Sequence, residues 1–97
     1  MKTLEEIQQW LVQHKSALQA RYQIKELGIF GSYARREQTE TSDVDVLVEF
    51  EETPSLLTFV KLEHYLSDNL GVKVDLVHKR GLKPRIGKRI LAEVVYL

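Results

Sequence analysis

The segment from Asp43 to Phe50, DVDVLVEF, constrains the fold of this 97-residue chain more than any other. Its valine content and its interleaved acidic residues are typical of a β-strand with one buried face. A chain of this length forms one domain around one hydrophobic core, so we expect residues 1–97 to be a single unit. The strand must therefore lie in a small sheet that helices cover.

Hydrophobic periodicity and capping residues divide the rest of the chain into helices and strands. Thr3 and Glu6 have capping-box spacing, Thr53-Pro54 is suited to begin a helix, and Gly71 is suited to end one. We expect the last helix to close the core with an apolar side that includes Ile86. The predicted elements are helices over 3–20, 54–70 and 84–96 and strands over 25–30, 43–50 and 72–77. This order predicts an α+β fold, a small mixed sheet of three to four strands with helices packed on it.

Composition excludes several classes of protein. Fourteen Lys and Arg balance fourteen Asp and Glu, which argues against a general nucleic-acid-binding protein or an enzyme that extends RNA ends. The absence of cysteine excludes a disulfide framework, a thiolate nucleophile and a Cys-ligated zinc ion. Because no apolar run is long enough to span a membrane and no signal peptide opens the chain, we expect a soluble, cytoplasmic protein without direct nucleic-acid binding.

Asp43 and Asp45 are the first candidates for chemistry. Strand alternation places both carboxylates on one face, with their Cα atoms roughly 6.6 Å apart. Two like charges this close favour a cation between them, and Mg²⁺ prefers such hard oxygen ligands. The alternative is the exposed face of an edge strand whose charges prevent aggregation. Asp75 lies on the predicted strand over 72–77. It supplies a third carboxylate if this strand is a neighbour of the strand over 43–50, and otherwise belongs to a polar strand face.

Gly31 and Ser32 follow an apolar strand and precede residues 33–36, which can form one helical turn. Glycine allows close backbone approach to a ligand, and free amide groups at a helix start favour phosphate. An ordinary strand-to-helix turn capped by Ser32 is the alternative.

The spacing of these residues resembles a known signature. Gly31-Ser32, ten residues and then Asp43-Val44-Asp45 is the pattern of the DNA polymerase β-like nucleotidyltransferase superfamily, and Asp75 stands where that family has its third metal-binding acid. The string GSYARREQTETSDVDVLVEF, with VDLV and the Leu-Lys-Pro before the last helix, is similar to the minimal nucleotidyltransferase antitoxins encoded beside a HEPN-domain ribonuclease toxin. Arg36 departs from the pattern, since many relatives have glycine there.

The resemblance implies an enzyme that transfers AMP from ATP to a tyrosine of the partner toxin and so silences its RNA cleavage. It implies that Asp43 and Asp45 hold two Mg²⁺ ions. Asp75 would complete the metal set and activate the tyrosine hydroxyl.

The same resemblance implies roles for the Gly-Ser turn and the arginines after it. Gly31 and Ser32 would hold the β- and γ-phosphates of ATP. Arg35 or Arg36 would neutralise the leaving pyrophosphate.

Charge is segregated along the chain. Residues 37–52 carry seven acids and no base, and residues 79–89 carry six bases and no acid. We expect the basic side of the last helix to bind the partner protein, although nucleotide binding and plain solvation are alternatives. This basic side consists of Arg85, Lys88 and Arg89. It also leaves open a second function, that of a non-catalytic antitoxin which neutralises the toxin by direct binding.

Glu63 is the one carboxylate within the apolar arc of a predicted helix. An unpaired buried carboxylate is costly, so we expect Glu63 to meet a base, solvent or a partner protein.

Overall fold

A computed structural model describes residues 2–97 and shows a four-stranded mixed sheet with helices packed on it. This arrangement confirms the α+β fold class. The helices are α1 (Leu4–Tyr22), α2 (Gly31–Ala34), α3 (Leu56–Leu70) and α4 (Pro84–Glu93), and the strands are β1 (Ile24–Phe30), β2 (Val44–Phe50), β3 (Val74–His78) and β4 (Val95–Tyr96).

The sheet has the strand order β3-β2-β1-β4. Strand β1 is antiparallel to both β2 and β4, whereas β2 and β3 are parallel and are joined through α3. The parallel pairing brings the sequence-distant strands VDVLVEF and VDLVH side by side. It thereby makes neighbours of two strands that each carry a candidate acid.

The hydrophobic core lies between one face of the sheet and the helices α1 and α3. Its centre contains fully buried side chains from α1, α3 and β2, among them Ile7, Leu11, Leu62, Leu66, Val44, Val46 and Val48. Helix α1 begins as predicted, since the hydroxyl of Thr3 accepts the amide of Glu6 and the Glu6 carboxylate accepts the amide of Thr3. Because strand residues alternate, Asp45 and Asp75 project from the opposite face.

The predicted start of the second long helix is wrong by two residues. Helix α3 begins at Leu56 rather than at Pro54, and its N-cap is Ser55, whose hydroxyl accepts the amide of Thr58 at 3.2 Å. A serine hydroxyl satisfies a free amide at a helix start, whereas proline there only removes one. The predicted end is confirmed, since Gly71 adopts the left-handed conformation that closes the helix.

The last predicted helix is too long. Helix α4 ends at Glu93, and the chain continues as a short strand that pairs with Gly28 and Ile29 of β1. Gly28 permits this pairing, because a Cβ atom at that position would lie 2.5 Å from the side chain of Val94. Residues 95–96 therefore pair with the free edge of β1 instead of continuing the helix that their periodicity predicts.

The expected closure of the core by α4 is also wrong. Ile86 is 55% exposed, and Gly87 is the one buried residue of the helix. Helix α4 contacts α2 rather than the sheet core, so one side of it remains open.

The partner of Glu63 is a backbone amide, and not the base, solvent or partner protein that we expected from the sequence. Its carboxylate accepts the backbone amide of Leu76 at 2.8 Å, and the hydroxyl of Ser67 accepts the amide of Val74 at 2.9 Å. Strand β3 is at the edge of the sheet, so these amides face away from β2. Helix α3 thus satisfies the free edge with two side chains, which also blocks pairing with another chain.

No helix within residues 2–97 combines the length and the apolar character that crossing a bilayer requires.

Candidate active site

The three predicted acids lie together where β2 and β3 begin. Asp45 and Asp75 are direct partners in the parallel register, on strands about 4.8 Å apart. Asp43 is two residues before Asp45, so alternation directs it to the same face. The sequence prediction that Asp75 faces the Asp pair required the two strands to be neighbours, and they are.

The pKa of Asp45 marks this residue as the centre of the acidic cluster. Burial first, and then the neighbouring charges of Asp75 and Asp43, raise the pKa of Asp45 to about 6. Arg35 opposes this effect by attraction. Lys73 lies 3.8 Å from the carboxylate of Asp43, at the exposed side of the cluster. A second cation near Asp45 would relieve this repulsion.

The donor chemistry of the cluster suits Mg²⁺, which prefers carboxylate oxygens. Within residues 2–97, no three Asp, Glu or His side chains already stand in metal-ligand geometry. The acids are adjacent because of the backbone register, and their side chains would have to turn before they could share an ion. The backbone register therefore brings the carboxylates together without placing them in metal-ligand geometry.

The Gly-Ser turn directly adjoins the acidic cluster. Gly31 begins α2 with a φ of +74°, and a Cβ atom built on it would collide with a carboxylate oxygen of Asp45. That same Cβ would be 3.0 Å from the Asp45 Cγ atom. Tyr33 is buried in the core and anchors this short helix. Glycine is thus required at position 31 both for the backbone conformation and for the approach of the acid.

Glu93 is a residue of this site that the sequence interpretation missed. The backbone amide of Gly31 donates to Oε2 of Glu93 at 2.5 Å, and Nη1 of Arg35 is 3.0 Å from each Glu93 carboxylate oxygen. Arg35 also donates through Nε to Glu37 at 3.0 Å. Glu93 is 62 residues from Gly31, and only the packing of α4 against α2 brings it here. No motif in the sequence marks it.

The two candidate arginines face different parts of the molecule. Arg35 stands at the Gly-Ser turn, whereas Arg36 adopts a left-handed conformation with φ of 59° and pairs with Glu5 of α1 at 2.5 Å. Ser32 is the second residue of α2, and its backbone carbonyl accepts the amide of Glu37. The structure thus joins Arg35 to Gly31 through Glu93 and directs Arg36 toward α1.

The basic residues of α4 also differ in their distance from the Gly-Ser turn. Arg85, Lys88 and Arg89 are all exposed. Arg89 lines a cavity of about 250 Å³ together with Gly31, Arg35 and Glu93, next to the apolar side chains of Phe30, Ile86 and Ile90. One of the three predicted partner-binding cations therefore also borders the Gly-Ser turn.

Comparison with known proteins identifies the family of this chain. A family model described as "Nucleotidyltransferase domain" matches residues 11–97. A protein of Thermococcus cleftensis named protein adenylyltransferase MntA is 56% identical over 97 residues, which cover all of this chain and 98% of that protein.

Two solved structures show the same fold. One is provisionally described as a minimal nucleotidyltransferase, with 41% identity, a TM-score of 0.84 and coverage of 99% of this chain and 97% of the other. The other is an MNT antitoxin in complex with a tri-AMPylated HEPN toxin from Shewanella oneidensis. Its matched chain is 21% identical with a TM-score of 0.68, over 92% of this chain and 70% of the other, so this likeness concerns the fold alone. From the family match and the relatives of high identity, the chain belongs to the nucleotidyltransferase domain family of enzymes.

Proposed function

We propose that this protein is an antitoxin that transfers AMP from ATP to a tyrosine hydroxyl of a cognate HEPN ribonuclease toxin in a Mg²⁺-dependent reaction. One observation carries the proposal: the carboxylate of Asp45 lies both against Gly31 and beside Asp75. The acids that suit a cation and the turn that suits phosphate are therefore one continuous site. The 56% identical relative is named a protein adenylyltransferase, which supports a protein as the acceptor.

The phosphate tail of ATP would bind at the Gly-Ser turn. The backbone amide of Gly31 and the hydroxyl and amide of Ser32 are the donors for the β- and γ-phosphates. Arg35 is the cation next to them, 3.0 Å from the same Glu93 carboxylate that Gly31 contacts. Arg36 contributes at longer range, because its guanidinium pairs with Glu5.

Asp43, Asp45 and Asp75 would hold two Mg²⁺ ions, which suits their shared face and the repulsion around Asp45. When bound, such ions neutralise the charge that develops on phosphate oxygens. Because the pKa of Asp45 is raised to about 6, a proton competes with a cation for the Asp45 carboxylate at low pH.

The transfer itself needs alignment more than a protein nucleophile. The tyrosine oxygen forms a bond to the α-phosphorus while the bond from that phosphorus to the bridging oxygen of the β-phosphate breaks. Asp75, which is exposed at the edge strand, takes the proton of the tyrosine hydroxyl. Pyrophosphate then leaves past Arg35, which neutralises part of its charge.

The test is incubation of the purified protein with labelled ATP, Mg²⁺ and the HEPN protein encoded beside it. We expect label on the HEPN protein, and mass spectrometry should locate it on a tyrosine. The variant Asp43→Ala/Asp45→Ala should give none. Absence of label with the wild type, or equal label with the double variant, contradicts the proposal.

Neutralisation by direct binding is the second candidate function, and the open side of α4 favours it. Ile86 is 55% exposed there and Leu91 is 45% exposed, beside exposed Lys88 and Arg89. Under this alternative, Asp43→Ala/Asp45→Ala still protects cells from the toxin, whereas Lys88→Glu/Arg89→Glu does not. Under the catalytic proposal, the double aspartate variant fails to protect.

A further inference from the structure

We infer that Glu93 is an internal competitor for the phosphate tail of the nucleotide, and that its release sets the affinity of the site. The inference rests on the proposed function, because it takes the Gly-Ser turn as the phosphate site. It concerns a residue that belongs neither to the acidic cluster nor to the sequence motif.

The contacts of Glu93 are those that a bound phosphate would need. Its carboxylate accepts the amide of Gly31 at 2.5 Å and two contacts of 3.0 Å from Arg35. A carboxylate and a phosphate share the same negative charge and the same preference for such donors. The two anions cannot occupy this pair of donors together, so binding of the tail requires that Glu93 leave.

Release of Glu93 needs no unfolding. Glu93 is the last residue of α4, and its side chain is 27% exposed, so rotation about its side-chain bonds carries the carboxylate into solvent. Helix α4 itself is loosely held, with Gly87 as its one buried residue. The amide of Gly31 loses an acceptor when Glu93 leaves and regains one when a phosphate oxygen arrives, so the exchange leaves no orphaned donor.

Competition of this kind lowers the apparent affinity by the fraction of molecules in which the site is free. A neighbouring carboxylate on the same arginine serves as a reference. Glu37 accepts Nε of Arg35 at 3.0 Å, as an exposed residue that follows the turn. Glu37 and Glu93 both place a negative charge on Arg35. The two differ in that the amide of Gly31 donates to Glu93.

The test measures the binding of ATP, of inorganic tripolyphosphate and of AMP by calorimetry, with Mg²⁺ present, for the wild type and for Glu93→Gln. Glutamine keeps an oxygen that can accept the Gly31 amide, and it removes the charge. We expect ATP and tripolyphosphate to bind about three- to tenfold more tightly, with AMP unchanged because it lacks the tail. The shorter Glu93→Asp side chain keeps its charge but reaches less far, and should also bind the tail more tightly.

The matched control is Glu37→Gln, which should change the affinities for ATP and for tripolyphosphate by less than about twofold. Unchanged or weaker tail binding by both Glu93 variants overturns the inference, and so does an equal effect of Glu37→Gln. A wild type that binds neither ATP nor tripolyphosphate, while Glu93→Gln also binds neither, overturns the proposed function instead. A gain for AMP equal to that for ATP assigns Glu93 to general packing and contradicts competition.

Discussion

The carboxylate of Asp45 occupies the space where a side chain at Gly31 would begin. This contact joins the acidic cluster to the Gly-Ser turn, so a methyl group at position 31 must displace the acid or the turn. The φ of +74° at Gly31 adds backbone strain for any other residue. We expect Gly31→Ala to lower adenylyl transfer by about 100-fold, because phosphoryl chemistry depends on alignment within an ångström.

Gly71 provides the matched control for this substitution. It has a similar φ of +69°, but the nearest atom to its Cβ position is a flexible lysine side chain 4.0 Å away. Gly71→Ala should lower the free energy of unfolding by about 1 kcal/mol, measured in urea, and Gly31→Ala should lower it by more because of the added collision with Asp45. Only Gly31→Ala should lose transfer activity per folded molecule. Equal activities of the two variants would contradict the importance of the Asp45 contact.

Removal of the Asp45 charge should stabilise the metal-free protein at neutral pH. The folded pKa is about 6, above the ordinary value of 3.8, mainly because of burial. The folded state therefore binds the proton more tightly, and stability falls as pH rises from about 4 to about 6. Asp45→Asn avoids this loss. Allowing for the partial exposure of Asp45, we expect a gain of about 1 kcal/mol at pH 8, or about 4–8 °C in Tm.

The pH dependence of this gain is its check. Thermal unfolding at pH 4 and pH 8 should show the Asp45→Asn variant ahead of the wild type at pH 8, with the difference shrinking at pH 4 as Asp45 becomes protonated. Transfer activity should be lost at both values. A variant that is less stable than the wild type at pH 8 would show that burial and the neighbouring charges do not disfavour the charged form of Asp45.

Mg²⁺ should reverse the order of these stabilities. An ion that binds only the folded state at 100 times its Kd stabilises that state by about 2.7 kcal/mol. We expect Mg²⁺ to raise the Tm of the wild type, and EDTA to return it to the starting value. Asp45→Asn should lose this response, while Asp68→Asn, which removes an exposed acid on α3, should retain it. Equal responses of the two variants would place the ion elsewhere.

Local sequence patterns predicted most of the fold, and they failed where a tertiary contact decided the outcome. The capping box at Thr3 and the left-handed Gly71 follow from a few adjacent residues, and both are confirmed. The end of α4 depends on a vacant sheet edge beside Gly28, which the amphipathic pattern of residues 84–96 does not contain. The exposure of Ile86 likewise depends on where α4 lies, since an apolar helical face by itself does not reveal what covers it.

The acids and the Gly-Ser turn of the candidate site could be predicted from the sequence, whereas Glu93 could not. Strand alternation and a fixed motif spacing locate Asp45 and Gly31, because both features are local. Pairing of Asp45 with Asp75 required β2 and β3 to be neighbours. Glu93 reaches Gly31 across 62 residues of sequence through the packing of two helices, and no pattern in the sequence carries that information.

The two arginines after the turn should contribute unequally. Arg35 stands beside Gly31, whereas Arg36 pairs with Glu5 on α1. We expect Arg35→Gln to raise the KM for ATP by about tenfold, the value of a charge-assisted hydrogen bond to phosphate, and Arg36→Gln to raise it by less than about twofold. Steady-state kinetics with the HEPN protein as acceptor measures both. Equal effects, or a larger effect of Arg36→Gln, would contradict the orientation of the turn.

Glu63 should matter for stability and not for chemistry. Its carboxylate accepts the amide of Leu76 at the free edge of β3, a contact that lies on the α3 side of the strand. Glu63→Ala leaves that partly buried amide without an acceptor and should cost about 1–3 kcal/mol in urea unfolding, whereas Glu63→Gln, which keeps an acceptor oxygen, should cost less than half as much. Transfer activity per folded molecule should stay within about twofold of the wild type for both variants, because the acids that we propose as catalytic lie on the other face of the sheet. If Glu63→Ala unfolds no more easily than Glu63→Gln, the edge amide has found water, and the helix α3 does not hold β3 through this carboxylate.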